Sequence, residues 1–314
     1  MENLVFCLNA TIPIFLTLML GLFFRRIGLF DDIFVSRLNK FVFNAALPAL
    51  LFLDIAKSDF YSVWNTKFVL FCFFVTLISI GISTGLSYLL KPRNIQGEFI
   101  QASYRSSAAI LGIAIIQNLY GNAGMAPLMI IGTVPLYNMA AVVILSFTGP
   151  ESRGLSCAAL KKSLKGIVTN PIILAILAGI LASLLPFKLP VIINKTIANI
   201  AVLATPLALI GLGAGFEGKK ALAEIKPTLI CSFIKLLLQP AVFLPLAVLL
   251  GFRSDKLVAI LIMLGAPTTV SCYIMAKSMK HEGILTSSVV VTTTFLSSVT
   301  ITFWLYLLKS FGLI

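Results

Sequence analysis

Apolar runs of 19 or more residues recur along the whole chain, and this feature constrains the fold most. A helix needs about 20 apolar residues to cross the hydrocarbon core of a bilayer, so each run is long enough to span one. Ten are present, at 4–24, 35–53, 67–90, 99–117, 124–148, 167–185, 191–215, 228–251, 257–276 and 284–308. One large soluble core is excluded, because only 11% of residues are charged and 59% are hydrophobic. Soluble domains carry roughly a quarter charged residues. The longest polar connection, 149–166, reads GPESRGLSCAALKKSLKG and leaves no room for a soluble domain.

The expected class is therefore an all-α integral membrane protein in a lipid bilayer. A net charge of +13 would point to nucleic acid in a soluble protein. Here it fits Lys and Arg gathered in cytoplasmic loops, and no nucleic-acid partner is expected. With the N-terminus outside, alternate loops hold fourteen basic residues, among them Arg25, Arg26, Lys161, Lys219 and Lys277. The opposite segments hold seven, so both termini are expected on the outer side of a cytoplasmic membrane. The first run lacks a basic leader and is followed by Arg25 and Arg26, so it reads as a span rather than a cleaved signal peptide. Cys7, Cys72, Cys157, Cys231 and Cys272 are scattered and odd in number, which implies neither disulfide nor metal site. No cofactor is expected.

A repeat underlies the ten runs. PIFLTLMLGLFF (13–24) matches PIILAILAGILA (171–182), and FNAALPALLF (43–52) matches VLATPLALIG (202–211). Pro13 and Pro171, Gly21 and Gly179, and Pro48 and Pro206 are each 158 residues apart. Five spans per copy is an odd number, so the second copy must enter the membrane from the other side. The expectation is two inverted five-helix repeats, 1–148 and 167–314, joined by a short cytoplasmic loop at 149–166.

In such repeats the site lies where interrupted helices meet near the midplane. Pro48, with Asn44 four residues earlier, and Pro206 interrupt the second span of each half. A plain packing kink is the alternative. The fourth spans carry QASYRSSAAILG (101–112) and LGAPTTVSCYIMAK (264–277), rich in small and hydroxyl residues. Ser103, Ser106 and Thr268 could hydrogen-bond a ligand there, or serve helix contact through small residues. The acidic residues all fall at span ends or in loops, and the one His, His281, is in a loop. That weighs against a cation substrate and against a membrane-embedded enzyme. Arg105 and Lys235 lie inside spans, where a charge costs at least about 2.5–3.5 kcal/mol on insertion scales. Either they serve function, or their stems snorkel toward the boundary.

These residues resemble the auxin efflux carrier family, bacterial permease relatives of the plant auxin carriers, over essentially the whole chain. The likeness rests on LNKFVFNAALPALLF (38–52), YRSSAAILG (104–112), IKLLLQP (234–240) and GAPTTVSCYIMAK (265–277). It implies broken, crossing helices 4 and 9, a scaffold and a transport domain, a homodimer, and organic-anion substrates such as auxin-like acids, malate or malonate. Family roles fall on Ser106, Ser107 and Pro267, with Asn138 as a polar contact from span 5. The expected substrate-binding set is Asn44, Arg105, Ser106, Ser107, Asn138, Pro267, Thr268, Thr269 and Ser271. The expected helix breaks are Pro48, Gly112, Pro206 and Pro267. Two departures stand out: Arg105-Ser106-Ser107 replaces a common Arg-Ser-Asn, and Gly112-Ile113-Ala114 replaces Gly-x-Pro. The break in span 4 then falls to Gly112 and the serines. The expected function is secondary transport of small organic anions by alternating access. A sodium-coupled organic-acid symporter of related fold, a membrane-embedded enzyme and a passive channel are the alternatives.

Overall fold

The computed structural model describes residues 2–56, 65–90, 93–108, 116, 125–149, 165–166, 168–184 and 190–314. All regular structure in them is helical. The first half comprises α1 (Glu2–Arg26), α2 (Asp32–Phe41), α3 (Leu47–Ala56), α4 (Thr66–Ser87), α5 (Gln96–Tyr104) and α6 (Ala126–Thr148). The second comprises α7 (Pro171–Leu184), α8 (Val191–Ala201), α9 (Ala204–Ala214), α10 (Gly218–Ala223), α11 (Ile225–Phe233), α12 (Gln239–Leu249), α13 (Ser254–Gly265), α14 (Ser271–Ser278) and α15 (Ile284–Ser310).

Among the described residues, six helical stretches are long and apolar enough to cross a membrane: 32–56, 66–87, 126–148, 191–214, 225–249 and 284–310. The ninth run is not one helix, since α13 stops at Gly265 and α14 restarts at Ser271. The fourth run likewise stops at Tyr104, and Gly112 lies outside the described residues. Large apolar side chains face outward on α1 (Leu16, Leu20, Phe23), α4 (Phe73, Phe74, Ile78) and α15 (Phe295, Val299, Phe303). Such bands could not persist in water and are matched by lipid.

Two prolines follow a widened turn. Residues Val42–Ala46 form a π-helical turn just ahead of Pro48, and Ile234–Leu238 form another ahead of Pro240. A proline cannot donate to the carbonyl four residues back and clashes with it, so the chain relaxes into a wider turn there. Pro48 therefore lies within one continuous helical segment rather than at a break. At the matching place in the second half, Val202 and Leu203 separate α8 from α9, and Pro206 sits in the first turn of α9. The carbonyl that Pro240 would leave unpaired, that of Leu236, accepts from the Trp304 indole at 3.0 Å.

Element starts keep the spacing read from the sequence. α5 and α13 begin at 96 and 254, and α6 and α15 at 126 and 284, which is 158 in both cases. Packing exchanges in the same way: α1 lies on α9 as α7 lies on α3, and α5 touches α15 as α13 touches α6. Gly21 and Gly213 let α1 and α9 approach closely, because a Cβ on either would overlap a backbone carbonyl of the other helix.

One acid departs from its expected exposure. Glu98 is at a span end, yet it is buried and caps α15, accepting from Gly283 N at 2.7 Å and from Thr286 N at 3.0 Å. His281 is also buried, 3.0 Å from the Leu145 carbonyl.

Candidate functional site

Two helices that stop inside a protein leave their last carbonyls without partners, and lipid offers none. Here the two interrupted helices satisfy each other. After α5 the backbone is extended from Arg105, and after α13 it is extended from Ala266. The two extended segments touch through Ser107 N, which donates to the Pro267 carbonyl at 2.8 Å. The Ser106 hydroxyl donates toward the Ile262 and Ala266 carbonyls at 3.1 and 3.3 Å. In exchange, the Thr268 hydroxyl donates to the Ala102 carbonyl of α5 at 2.8 Å.

A third element completes the capping. The span 225–249 supplies Gln239, whose amide donates to the Ser103 carbonyl at 2.8 Å. It also supplies Lys235, whose ammonium donates to the Leu264 carbonyl at 2.7 Å. The Met263 carbonyl accepts from the Tyr137 hydroxyl at 3.3 Å and lies 3.4 Å from the same ammonium. A cation at a helix C-terminus is favoured by the helix dipole. Lys235 is fully buried, so it does not snorkel.

Nor does Arg105, which is 1% exposed. Its Nη2 donates to Asn138 Oδ1 at 2.8 Å and to the Ser271 hydroxyl at 2.7 Å. Its Nη1 meets the Met275 sulfur at 2.9 Å and Gln101 Oε1 at 3.4 Å. Nε has no partner, and among the described residues Arg105 makes no ion pair. The groups that hydrogen-bond the guanidinium are all neutral. Asn138 is held for this contact by its own amide, which donates to the Val134 carbonyl at 2.8 Å.

Arg105, Ser106, Ser107, Asn138, Pro267, Thr268, Thr269 and Ser271 all line one cavity of about 90 Å³, together with Leu47, Leu50, Asp54 and Thr205. Eight of the nine expected binding residues therefore meet. Asn44 does not join them: its amide donates to the Lys40 carbonyl at 2.8 Å, and it lines a second cavity. Asn44 lies within the π-helical turn ahead of Pro48. Several groups escaped the sequence reading, namely Gln101, Tyr137, Gln239 and Met275. A four-residue spacing gave a signal for two of them, since Gln101 precedes Arg105 and Gln239 follows Lys235 by one helical turn.

The chain is matched by the membrane transport protein family over residues 6–305. It belongs to that family, the one of the auxin efflux carriers. A protein of Methanothermobacter thermautotrophicus named "Uncharacterized transporter" is 21% identical over 305 residues, covering 94% of this chain and 96% of its own. A Rhizobium meliloti protein named "Putative malonate transporter" is 24% identical, with 96% of each chain covered. The "Uncharacterized transporter YfdV" of Escherichia coli K12 is also 24% identical, covering 87% of this chain and 88% of its own.

Proposed function

We propose that the protein is a secondary transporter of small organic anions, with the carboxylate held where α5 and α13 end against each other. Arg105 carries the reading. A buried cation without a counter-charge is expensive, and at membrane depth it marks a functional group by default. Its hydrogen-bond partners are neutral and position the guanidinium without pairing its charge, and a substrate carboxylate would pair it directly. The N-terminus of α14, at Ser271 on the same wall, adds favourable potential for an anion.

Size narrows the substrate. The 90 Å³ of the cavity corresponds to about half a dozen water-sized groups, taking one per 10–15 Å³. Malonate or malate suits that space better than an indole acid. Malonate, named for one relative, is the first acid to try.

The shared offset and the exchanged packing support two five-helix halves, 1–148 and 167–314, inverted with respect to each other. Such halves supply two nearly equivalent arrangements, one open to each side. An elevator-like or rocking movement would present the crossing to each side in turn. The basic-residue count supports a cytoplasmic membrane with both termini outside. Coupling to sodium is disfavoured at the α13 end, because the Lys235 ammonium holds the carbonyl oxygen that a coupling cation would need.

Uptake of labelled malonate, malate, succinate and indole-3-acetate into proteoliposomes tests the reading. One acid should enter with the wild type, and Arg105→Ala should lower its uptake at least tenfold while the protein stays folded. Replacing sodium by choline should leave the rate unchanged. Entry of no acid under any ion gradient contradicts the assignment, and a strict need for sodium turns it toward the symporter.

A further inference from the structure

The chain passes from α9 to α11 through the short helix α10, and this connection joins two differently packed parts of the molecule. α9 packs against α1 and α2, whereas α11 packs against α5 and α15. α10 itself rests on α15. Glu224 stands where α10 gives way to α11. Its side chain is half-buried, and Oε2 is closed off from solvent without a hydrogen-bond partner. The charges that act on it are both negative: Glu98 of α5 and Glu282 of the loop between α14 and α15.

Both acids are held in place. Glu98 is buried and accepts from Gly283 N, Thr286 N and the Thr286 hydroxyl at the start of α15. The loop that carries Glu282 is pinned by His281, whose ring meets the Leu145 carbonyl of α6. Lys277 of α14 donates to the Glu282 carbonyl. The cations nearby leave Glu224 alone. Lys220 of α10 pairs with Glu217, while Lys219 of α10 and Lys226 of α11 are exposed. Lys280 precedes His281 in the loop, and among the described residues no cation forms an ion pair with Glu224. Like charges at one partly dry place oppose each other's ionisation, so burial and the two acids raise the Glu224 carboxyl to about 7.

We propose that Glu224 is a pH switch on transport, built into the connection between the two packed parts. Protonated, it lets α10 dock beside α5 and α15, and the docked connection restrains movement of α9 against α11. Ionised, it is repelled by Glu98 and Glu282, so α10 lifts away and the connection gains the slack that the movement needs. Transport therefore slows when the compartment on this side acidifies. On the proposed orientation that compartment is the cytoplasm. The switch rests on the reading of the protein as a transporter that moves one bundle against another.

Two measurements on the full chain test this, each with the same pH on both faces of the membrane. One is deuterium exchange of residues 216–226 in lipid nanodiscs, and the other is initial uptake of labelled malonate, malate and succinate into proteoliposomes. Wild type and Glu224→Gln should exchange alike at pH about 6, and wild type about fivefold faster at pH about 8. Wild-type uptake should rise about tenfold over that interval, as the ionised share of the carboxyl does, while Glu224→Gln stays slow throughout. Glu282→Gln removes one repelling charge and should move the midpoint of uptake to lower pH, which guards against a misfolded Glu224→Gln. Equal exchange of wild type and Glu224→Gln at both pH values overturns the switch. So does one pH profile of uptake shared by both proteins, which is also what protonation of the substrate alone would give. A fast, pH-independent Glu224→Gln overturns it as well. Failure of the transport reading looks different: no acid enters at any pH, yet the difference in exchange persists.

Discussion

At the scale of single residues, the crossing is held by donors to the carbonyls near the two helix ends. Ala102, Ser103, Ile262, Met263 and Leu264 each have a named donor from another element. Removing one donor leaves a buried acceptor unpaired, which costs about 1–3 kcal/mol. Thr268→Val keeps the shape and removes the hydroxyl on Ala102. It should lower the apparent melting temperature in detergent by several degrees, whereas Thr269→Val, at a half-buried neighbour, should change it little. Equal effects of the two would contradict the capping role. The sequence marked Arg105, Ser106 and Thr268 because polar residues are conspicuous in apolar runs. It could not tell capping from ligand binding, since both call for a hydroxyl at membrane depth. Asn44 stands apart from the other eight, in a π-helical turn that no residue type announces.

Elements show how proline is accommodated without breaking a span. The carbonyl freed by Pro240 is taken by the Trp304 indole, so Trp304→Phe should cost about 1–2 kcal/mol of stability with little loss of packed area. Thermal unfolding of that variant beside Trp304→Leu would separate the hydrogen bond from the ring. The short connection between α10 and α11 carries a pH effect. Burial, with the charges of Glu98 and Glu282, raises the half-buried Glu224 carboxyl to about 7 from 4.5, and its Oε2 has no hydrogen-bond partner. Between those two pH values the folded protein holds a proton that the unfolded chain has lost. Stability therefore falls as pH rises through that window, and the full penalty is present above it. Glu224→Gln should stabilise the protein by about 1 kcal/mol at pH 8, a figure reduced for solvent screening of a half-exposed group. It should do almost nothing at pH 4.5. A pH-independent gain would rule the mechanism out.

For the whole molecule, the helical membrane class was legible because lipid imposes long apolar runs, and the 158-residue spacing of helix starts because Pro and Gly mark places where a bend or close approach needs them. Gly21 and Gly213 show the second point: each lies where α1 and α9 touch backbone to backbone. Gly213→Ala should force the helices apart and lower the folded yield severalfold, whereas Gly81→Ala, with open space around its Cα, should be silent. Less legible were the interruptions themselves. The ninth apolar run breaks over Ala266–Val270, between α13 and α14, because residues elsewhere in the chain pay the cost of its open carbonyls, a long-range condition invisible to a window of sequence. The buried capping role of Glu98 was hidden in the same way, by a partner 185 residues away.

The most direct test of an anion site at the crossing is protection of a cysteine placed in it. Ser107 is half-buried on the cavity wall, and its side chain is not among the groups that cap the helix ends. Ser107→Cys, made in a chain whose Cys7 and Cys157 are replaced by Ser, would be labelled with a membrane-impermeant thiol reagent with and without the transported acid. Slower labelling in the presence of the acid, lost when Arg105 is changed to Gln, is the expected result. Labelling that the acid leaves unchanged, while uptake proceeds, would show that the anion passes elsewhere.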